Sequence, residues 1–255
     1  LFKGQNLEKI GPVRSSRHYF LDYALENDAI YVHYGWSPQA QYDISNLGVN
    51  NINGISESES SFWRVKDKRA PHNVATSTAK ILSIAERKGY KTTSTKESVL
   101  KYVTDEVELT DGQSAEKITI PYSYSNDVEY TYDATTKRYQ RYSKGVKETD
   151  WSTGENITTK NIIITFAKNS VLNDGENKDR QTLSNIGTLN GYYITNGKAI
   201  KITCEKTSRS AQTVYKDLDG NEIKVNDGNT YVQICPINAK VTIEGAEETV
   251  TEDVD

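Results

Sequence analysis

Three histidines occur in the 255 residues, His18, His33 and His72, all in the first third of the chain. Each lies in a dense polar block: GPVRSSRHYF from Gly11, AIYVHYGWSPQA from Ala29 and FWRVKDKRAPHN from Phe62. In the first block, Arg14, Ser15, Ser16 and Arg17 precede Tyr19, Phe20, Tyr23 and Ala24 at helical spacing, which predicts a helix capped by Ser15 or Ser16. Free backbone N–H groups at a helix start, flanked by guanidinium groups, suit an anion. The same residues equally suit an ordinary capped helix whose arginines pair with carboxylates such as Asp22, and no glycine-rich phosphate loop accompanies them.

His33 falls near the end of the expected strand AIYVHYG, where ligands collect in α/β sheets, and Gly35, Trp36 and Ser37 allow close approach and stacking. The competing role is a half-buried histidine bonded to a backbone carbonyl. His72 is expected between Pro71 and a helix start at Asn73, a position that suits a ligand contact or simple capping. His18 reads as a helical packing or surface residue. The candidate ligand-binding set is therefore Arg14, Ser15, Arg17, His33, Arg69, His72 and Asn73. His33 and His72 with Asp22 or Asp67 lack any local metal-ligand spacing, so no metal and no cofactor is expected. A hydrolase built from Ser15 or Ser37, His33 or His72, and Asp22 lacks the G-x-S-x-G elbow.

The elements that must position these residues are legible in outline. Ser37-Pro38 opens a short helix through Ile44, Ser77 caps a helix carrying Ile81, Leu82, Ile84 and Ala85, and Ser94–Glu97 has capping-box spacing ahead of Val99, Leu100 and Val103. From about residue 105 the pattern changes to short β-rich runs separated by turns such as Asp219-Gly220-Asn221 and Asn226-Asp227-Gly228. Residues 169–180 read as a polar loop. Tyr130, Tyr132, Tyr139 and Tyr142 read as sheet-packing residues rather than a glycan surface. The fold expected is α+β: an N-terminal α/β domain over 1–104, a mainly antiparallel β domain over 105–245, and an acidic tail over 246–255.

Composition limits the partners. Of 31 basic and 35 acidic side chains, 14 and 10 fall in the first 104 residues, leaving 17 and 25 for the rest. A net charge of −4 argues against general nucleic-acid affinity. No apolar run approaches the ~18 residues that span a bilayer. The chain starts at Leu1 and contains no methionine, so an upstream segment is expected to be missing, and any export signal or lipid-attachment cysteine would have belonged to it. Cys204 and Cys235 lie in expected strands; two buried thiols or a disulfide both fit.

Taken together, GPVRSSRHYF, DAIYVHYGWSPQA, NINGI, FWR with RAPHN, NIIITF, GYYITNGKAIKIT and DLDGNEIKVNDGNTYVQICP resemble the YerB-like family of bacterial lipoproteins, a domain family of unknown function. The resemblance covers nearly all of residues 8–238. It implies an N-terminal α/β part, a C-terminal β part, and export to the outer face of the cytoplasmic membrane of Gram-positive bacteria by a lipidated cysteine. It implies no catalytic residue. Members resembling this chain carry a further N-terminal stretch, a tryptophan at the position of Cys204 and Gly-Ser-Gly at Gly187-Thr188-Leu189. A Cys204–Cys235 disulfide would thus be peculiar to this chain.

The function expected is an extracytoplasmic, lipid-anchored binding module for an anionic cell-envelope ligand, with membrane contact only through an upstream anchor. Turnover is the less favoured role. The alternatives are an envelope hydrolase using His33 or His72 as general base, and a protein-interaction scaffold using the β domain.

Overall fold

The computed structural model describes residues 4–176 and 178–245; the acidic tail expected over 246–255 lies outside the described residues. The chain divides into two units. One is built from the chain up to Val99 together with Ser170–Leu183 and Thr207–Thr213; the other takes Leu100–Asn169, Ser184–Lys206 and the chain from Val214 on. The fold class is α+β, with all three α-helices of the described residues ending by Arg87.

In the first unit, α1 (Phe20–Glu26) leads to β1 (Tyr31–His33), α2 (Pro38–Asn46) and β2 (Asn51–Asn53). β1 and β2 pair in parallel, His33 opposite Asn53. β3 (Trp63–Arg64) and β4 (Val74–Ala75) form an antiparallel hairpin, followed by α3 (Thr78–Arg87). The extended segment 10–16 joins the pairs. It is hydrogen-bonded to residues 34–37 through Tyr34 N–H to Arg14 O (2.9 Å) and Ser16 N–H to Gly35 O (2.9 Å), and to β4 through Val13 N–H to Val74 O (2.8 Å). Val13, Ile52, Phe62, Val74 and Ile84 make one apolar cluster; Leu21, Ala24, Ile44 and Val49 make another between α1 and α2.

Ser37 caps α2, its Oγ accepting from Ala40 N–H at 3.3 Å, and Ser77 caps α3 in the same way. Three local expectations fail for identifiable reasons. Ser15 and Ser16 do not cap α1, whose first flanking residue is Tyr19, because the Ser16 backbone is already bonded to Gly35 and Ser37 in an extended segment. No helix follows Ser94. Its hydroxyl accepts from Lys96 N–H (3.0 Å), two residues on rather than three, while Lys96 Nζ donates to Leu25 O (2.9 Å) and Glu97 O accepts from Gln212 (2.8 Å). Nor does a helix start at Asn73: His72 N–H closes a turn onto Arg69 O and the chain enters β4.

The second unit carries two sheets. In one, Arg138–Ser143, Asn126–Asp133, Lys117–Ser123 and Thr242–Glu244 run antiparallel in that spatial order. In the other, Asn161–Val171, Gly187–Thr195, Lys198–Lys206 and Val214–Lys216 are antiparallel neighbours, and Thr230–Pro236 lies parallel to Asn161–Val171. Alternation sends Ile118, Ile120, Val128, Tyr130 and Tyr139 of the first sheet and Ile162, Ile164 and Ile194 of the second into one shared core. Burying each such side chain contributes about 1.5–3 kcal/mol. Tyr139 is fully buried with its hydroxyl satisfied, donating to Ala115 O (3.2 Å) and accepting from Gly197 N–H (3.0 Å). Of the polar stretch 169–180, residues 169–171 end the strand Asn161–Val171, and the described residues of 172–180 form the expected loop ahead of Gln181–Ser184, within the part of the chain counted with the first unit. The loop is held by Leu172 N–H to Arg180 O (2.6 Å) and by ion pairs of Arg180 with Asp174 and Glu176.

Cys204 and Cys235 are free and buried. They sit three strand positions apart, roughly 14 Å at ~4.8 Å per strand. That is about twice the Cα separation a disulfide spans. Burial pushes both thiols up to about 11. A thiol-specific reagent at neutral pH should therefore label neither cysteine in the native protein and both after denaturation; rapid native labelling, or an oxidised intramolecular product, would contradict this packing.

Candidate functional site

The turn after β1 organises the first unit. Gly35 has φ +81°, and a Cβ there would stand 3.0 Å from Ile55 Cδ1. Its N–H donates to Asn53 Oδ1 (2.9 Å), and its carbonyl oxygen meets His33 Nδ1 (2.8 Å). His33 Nε2 lies 3.1 Å from Asn51 Oδ1, and the ring, 1% exposed, rests against Tyr31 and Trp36 at 5.3 and 5.5 Å. Both ring nitrogens are thus engaged within the fold, where they tie β1, β2 and the intervening turn together.

The GPVRSSR block does similar internal duty. Arg17 folds back on its own loop, Nη1 donating to Ser15 Oγ (2.9 Å) and to the carbonyls of Ser16 (2.9 Å) and Ser15 (3.4 Å). Arg14 differs: its carbonyl is used by Tyr34, but its side chain is exposed and makes no hydrogen bond or ion pair among the described residues. Arg69 and His72 are likewise exposed, with no side-chain partner among the described residues, in the turn between β3 and β4. Asn73 Oδ1 accepts from Arg64 Nη1 (2.8 Å), and the Arg64 guanidinium carbon stands 5.7 Å from the Tyr34 ring centroid.

The sequence set therefore separates. Ser15, Arg17 and His33 are joined to the fold through internal hydrogen bonds. Arg14, Arg69 and His72 present unpartnered polar ends on the segment-10–16 and β3–β4 side of the unit, and Asn73 anchors Arg64 there. Arg64 was outside the candidate set. Its signal lay in the block RVKDKR, where Arg64, Lys66, Lys68 and Arg69 face a single acid, Asp67.

A buried ionic cluster also escaped sequence reasoning. Arg209 donates from Nε to Asp22 Oδ1 (2.6 Å), from Nη1 to Asp43 Oδ2 (2.6 Å) and from Nη2 to His18 O (2.9 Å). Burial alone would lower the arginine pKa; the Asp43 and Asp22 carboxylates more than offset it and hold it above its ordinary value. His18 Nε2 lies 2.9 Å from Thr182 Oγ1, while Nδ1 is buried with no partner among the described residues. Burial pushes this imidazole below its ordinary value, against the pull of Asp43. The available signal was an acid on the apolar side of each of two helices, Asp22 beside Leu21 and Asp43 beside Ile44, which calls for a buried cation. It did not say which.

These contacts bear on the catalytic alternatives. Asp22 is engaged by Arg209, Ser37 Oγ caps α2 and Ser15 Oγ accepts from Arg17, so the two serines and the aspartate of the considered triad hold other partners. Among the described residues no group of three or more His, Cys, Asp or Glu side chains is placed to hold a metal ion.

Residues 1–91 match the N-terminal domain, and residues 118–232 the C-terminal domain, of a protein family of unknown function designated DUF3048. This two-part α+β chain belongs to that family. It is 30% identical over 244 residues to "Putative lipoprotein YerB" of Bacillus subtilis (strain 168), the match covering 92% of this chain and 70% of the relative. A crystal structure of the YerB protein from Bacillus subtilis superposes with a TM-score of 0.81 at 29% identity, covering 94% of this chain and 80% of that one.

Proposed function

We propose that this protein is an extracytoplasmic, lipid-anchored binding module of the Gram-positive type, whose first unit takes an anionic cell-envelope ligand through the cations around β3 and β4. The location rests on the lipoprotein name of its relative. Contact with the bilayer through a lipid anchor upstream is likewise taken from that name; among the described residues no helix is long and apolar enough to cross a membrane. The observation that carries the binding role is the contrast among neighbouring groups. Arg17 Nη1 and both His33 ring nitrogens are turned onto groups of the fold, whereas Arg14, Arg69 and His72 are exposed with no hydrogen bond or ion pair from their side chains among the described residues, next to an Arg64 steadied by Asn73 and Tyr34. Guanidinium groups left unpaired on the segment 10–16 and in the β3–β4 turn retain their donors for phosphate or carboxylate.

The test is binding of a poly(glycerol phosphate) probe to the intact chain by calorimetry. The combined variant Arg14→Ala, Arg69→Ala, His72→Ala should bind at least tenfold more weakly, about 1.4 kcal/mol. Because these side chains are exposed and make no hydrogen bond or ion pair among the described residues, its melting temperature should stay within a degree or so of the parent. Raised salt should weaken binding by the parent and hardly affect the variant. Equal affinity of parent and variant would end this reading.

A further inference from the structure

Beside β2 the first unit holds a concave site of about 240 Å³ that the anion-binding set does not use. Trp36 from the turn after β1, Gln41 from α2, Asn51 and Asn53 from β2, Glu57, and Lys88 beyond α3 are among its walls. From the chemistry of these walls we infer that the site is a subsite for one uncharged sugar ring, a pyranose unit of a glycan.

Asn53 carries the argument furthest. The residue is only 8% exposed, and its Oδ1 accepts two backbone N–H groups, from Gly35 (2.9 Å) and Ile55 (3.2 Å). Those bonds fix the amide plane. Its Nδ2 makes no hydrogen bond among the described residues and, unlike the sealed His18 Nδ1, keeps access to solvent at the wall of the site. It is a prepositioned donor awaiting an oxygen.

Glu57 supplies the complementary acceptor. Its side chain is 7% exposed; Oε2 is paired with Arg87, and Oε1 lies 3.8 Å from Lys88 Nζ. The carboxylate is thus held in place and charge-balanced, yet two oxygens provide about four acceptor positions and these partners leave some open. An anionic ligand would meet this carboxylate and a cationic one would meet Lys88. A hydroxyl group both donates and accepts, so a neutral polyol satisfies Asn53 Nδ2, Glu57 and Lys88 together.

Trp36 selects a ring over an open chain. Its indole rests against the buried His33 ring at 5.5 Å and keeps 36% of its surface exposed, giving a braced apolar plate for the C–H face of a sugar. The volume falls below the ~300–1,000 Å³ of sites for drug-sized ligands, which limits occupancy to a single small unit.

The experiment titrates the intact chain with methyl glycosides of glucose, galactose and N-acetylglucosamine, following indole fluorescence and amide chemical shifts. At least one glycoside should give saturable shifts at Trp36, Asn53 and Glu57, with millimolar affinity, about −4 kcal/mol. Asn53→Asp keeps the oxygen that accepts from Gly35 and Ile55 but removes the free donor, and should weaken that titration about tenfold while amide dispersion is retained; Trp36→Ala should abolish it. Saturation by none of the three glycosides, or an unchanged titration in a folded Asn53→Asp variant, would overturn the assignment. The Arg14, Arg69, His72 triple variant separates the two sites. It should bind glycoside like the parent; if it alone loses glycoside binding, the ring is held by the basic hairpin and the subsite is not real.

Discussion

Arg209→Ala should lower the stability of the first unit by about 3 kcal/mol, the lower end of the 3–5 expected when one partner of a buried ion pair is removed. The lower end applies because the arginine side chain retains 29% exposure, whereas its carboxylate partners keep 3% and 8%. The deletion withdraws three charge-assisted donors at once, from Asp22, Asp43 and the His18 carbonyl. Arg209→Lys preserves the charge, but a single ammonium cannot reproduce three N–H vectors in one plane, so it should recover only part of the loss. Substituting Asp22→Asn and Asp43→Asn in an Arg209→Met background should also recover part, since the uncompensated charge is then gone. Denaturant titration followed by a first-unit tryptophan signal measures each step; a loss below about 1 kcal/mol for Arg209→Ala would show that the cluster is ornamental.

Residues 1–99 expressed alone should not reach the native fold, even though they contain α1–α3 and β1–β4. That fragment lacks Arg209. It also lacks Thr213, whose N–H and Oγ1 donate to the buried Glu26 carboxylate at 3.1 and 2.7 Å, and Thr182 beside His18. Three acidic side chains at 2–5% exposure would lose these donors together. At a few kcal/mol each, the combined cost approaches the 5–15 kcal/mol stability of an entire domain. A fragment spectrum with narrow amide dispersion is the expected result, and dispersion matching that of the intact chain would refute it. Adding residues 207–213 as a peptide tests whether the missing donors are the cause.

Much of this architecture was legible locally. The Ser37-Pro38 and Ser77 helix starts, β1 with His33 at its end, and the alternating Ile and Tyr strands of the second unit all follow from spacing and cap chemistry within a few residues. Where local signals misled, a distant group had taken the backbone or side chain first: Ser16 by the turn at Gly35, and Glu97 by Gln212. The candidate site shows the same division. The blocks bearing Arg14, His33 and His72 were visible as dense polar sequence, but which side chains remained available depended on neighbours that only folding supplies.

From the sequence alone came the α+β class, the change of character near residue 105, the family, and the polar blocks that any binding site would draw on. Tertiary structure alone decided that His33 is internal and Arg14 is not, that Asn53 retains a free donor beside Glu57, and that Arg209 closes a cluster with acids 187 and 166 residues away. The reason is physical. Hydrophobic periodicity and helix caps are short-range and repeat within a turn or a strand, whereas a buried charge must find its partner wherever the packed chain brings one, at any sequence separation.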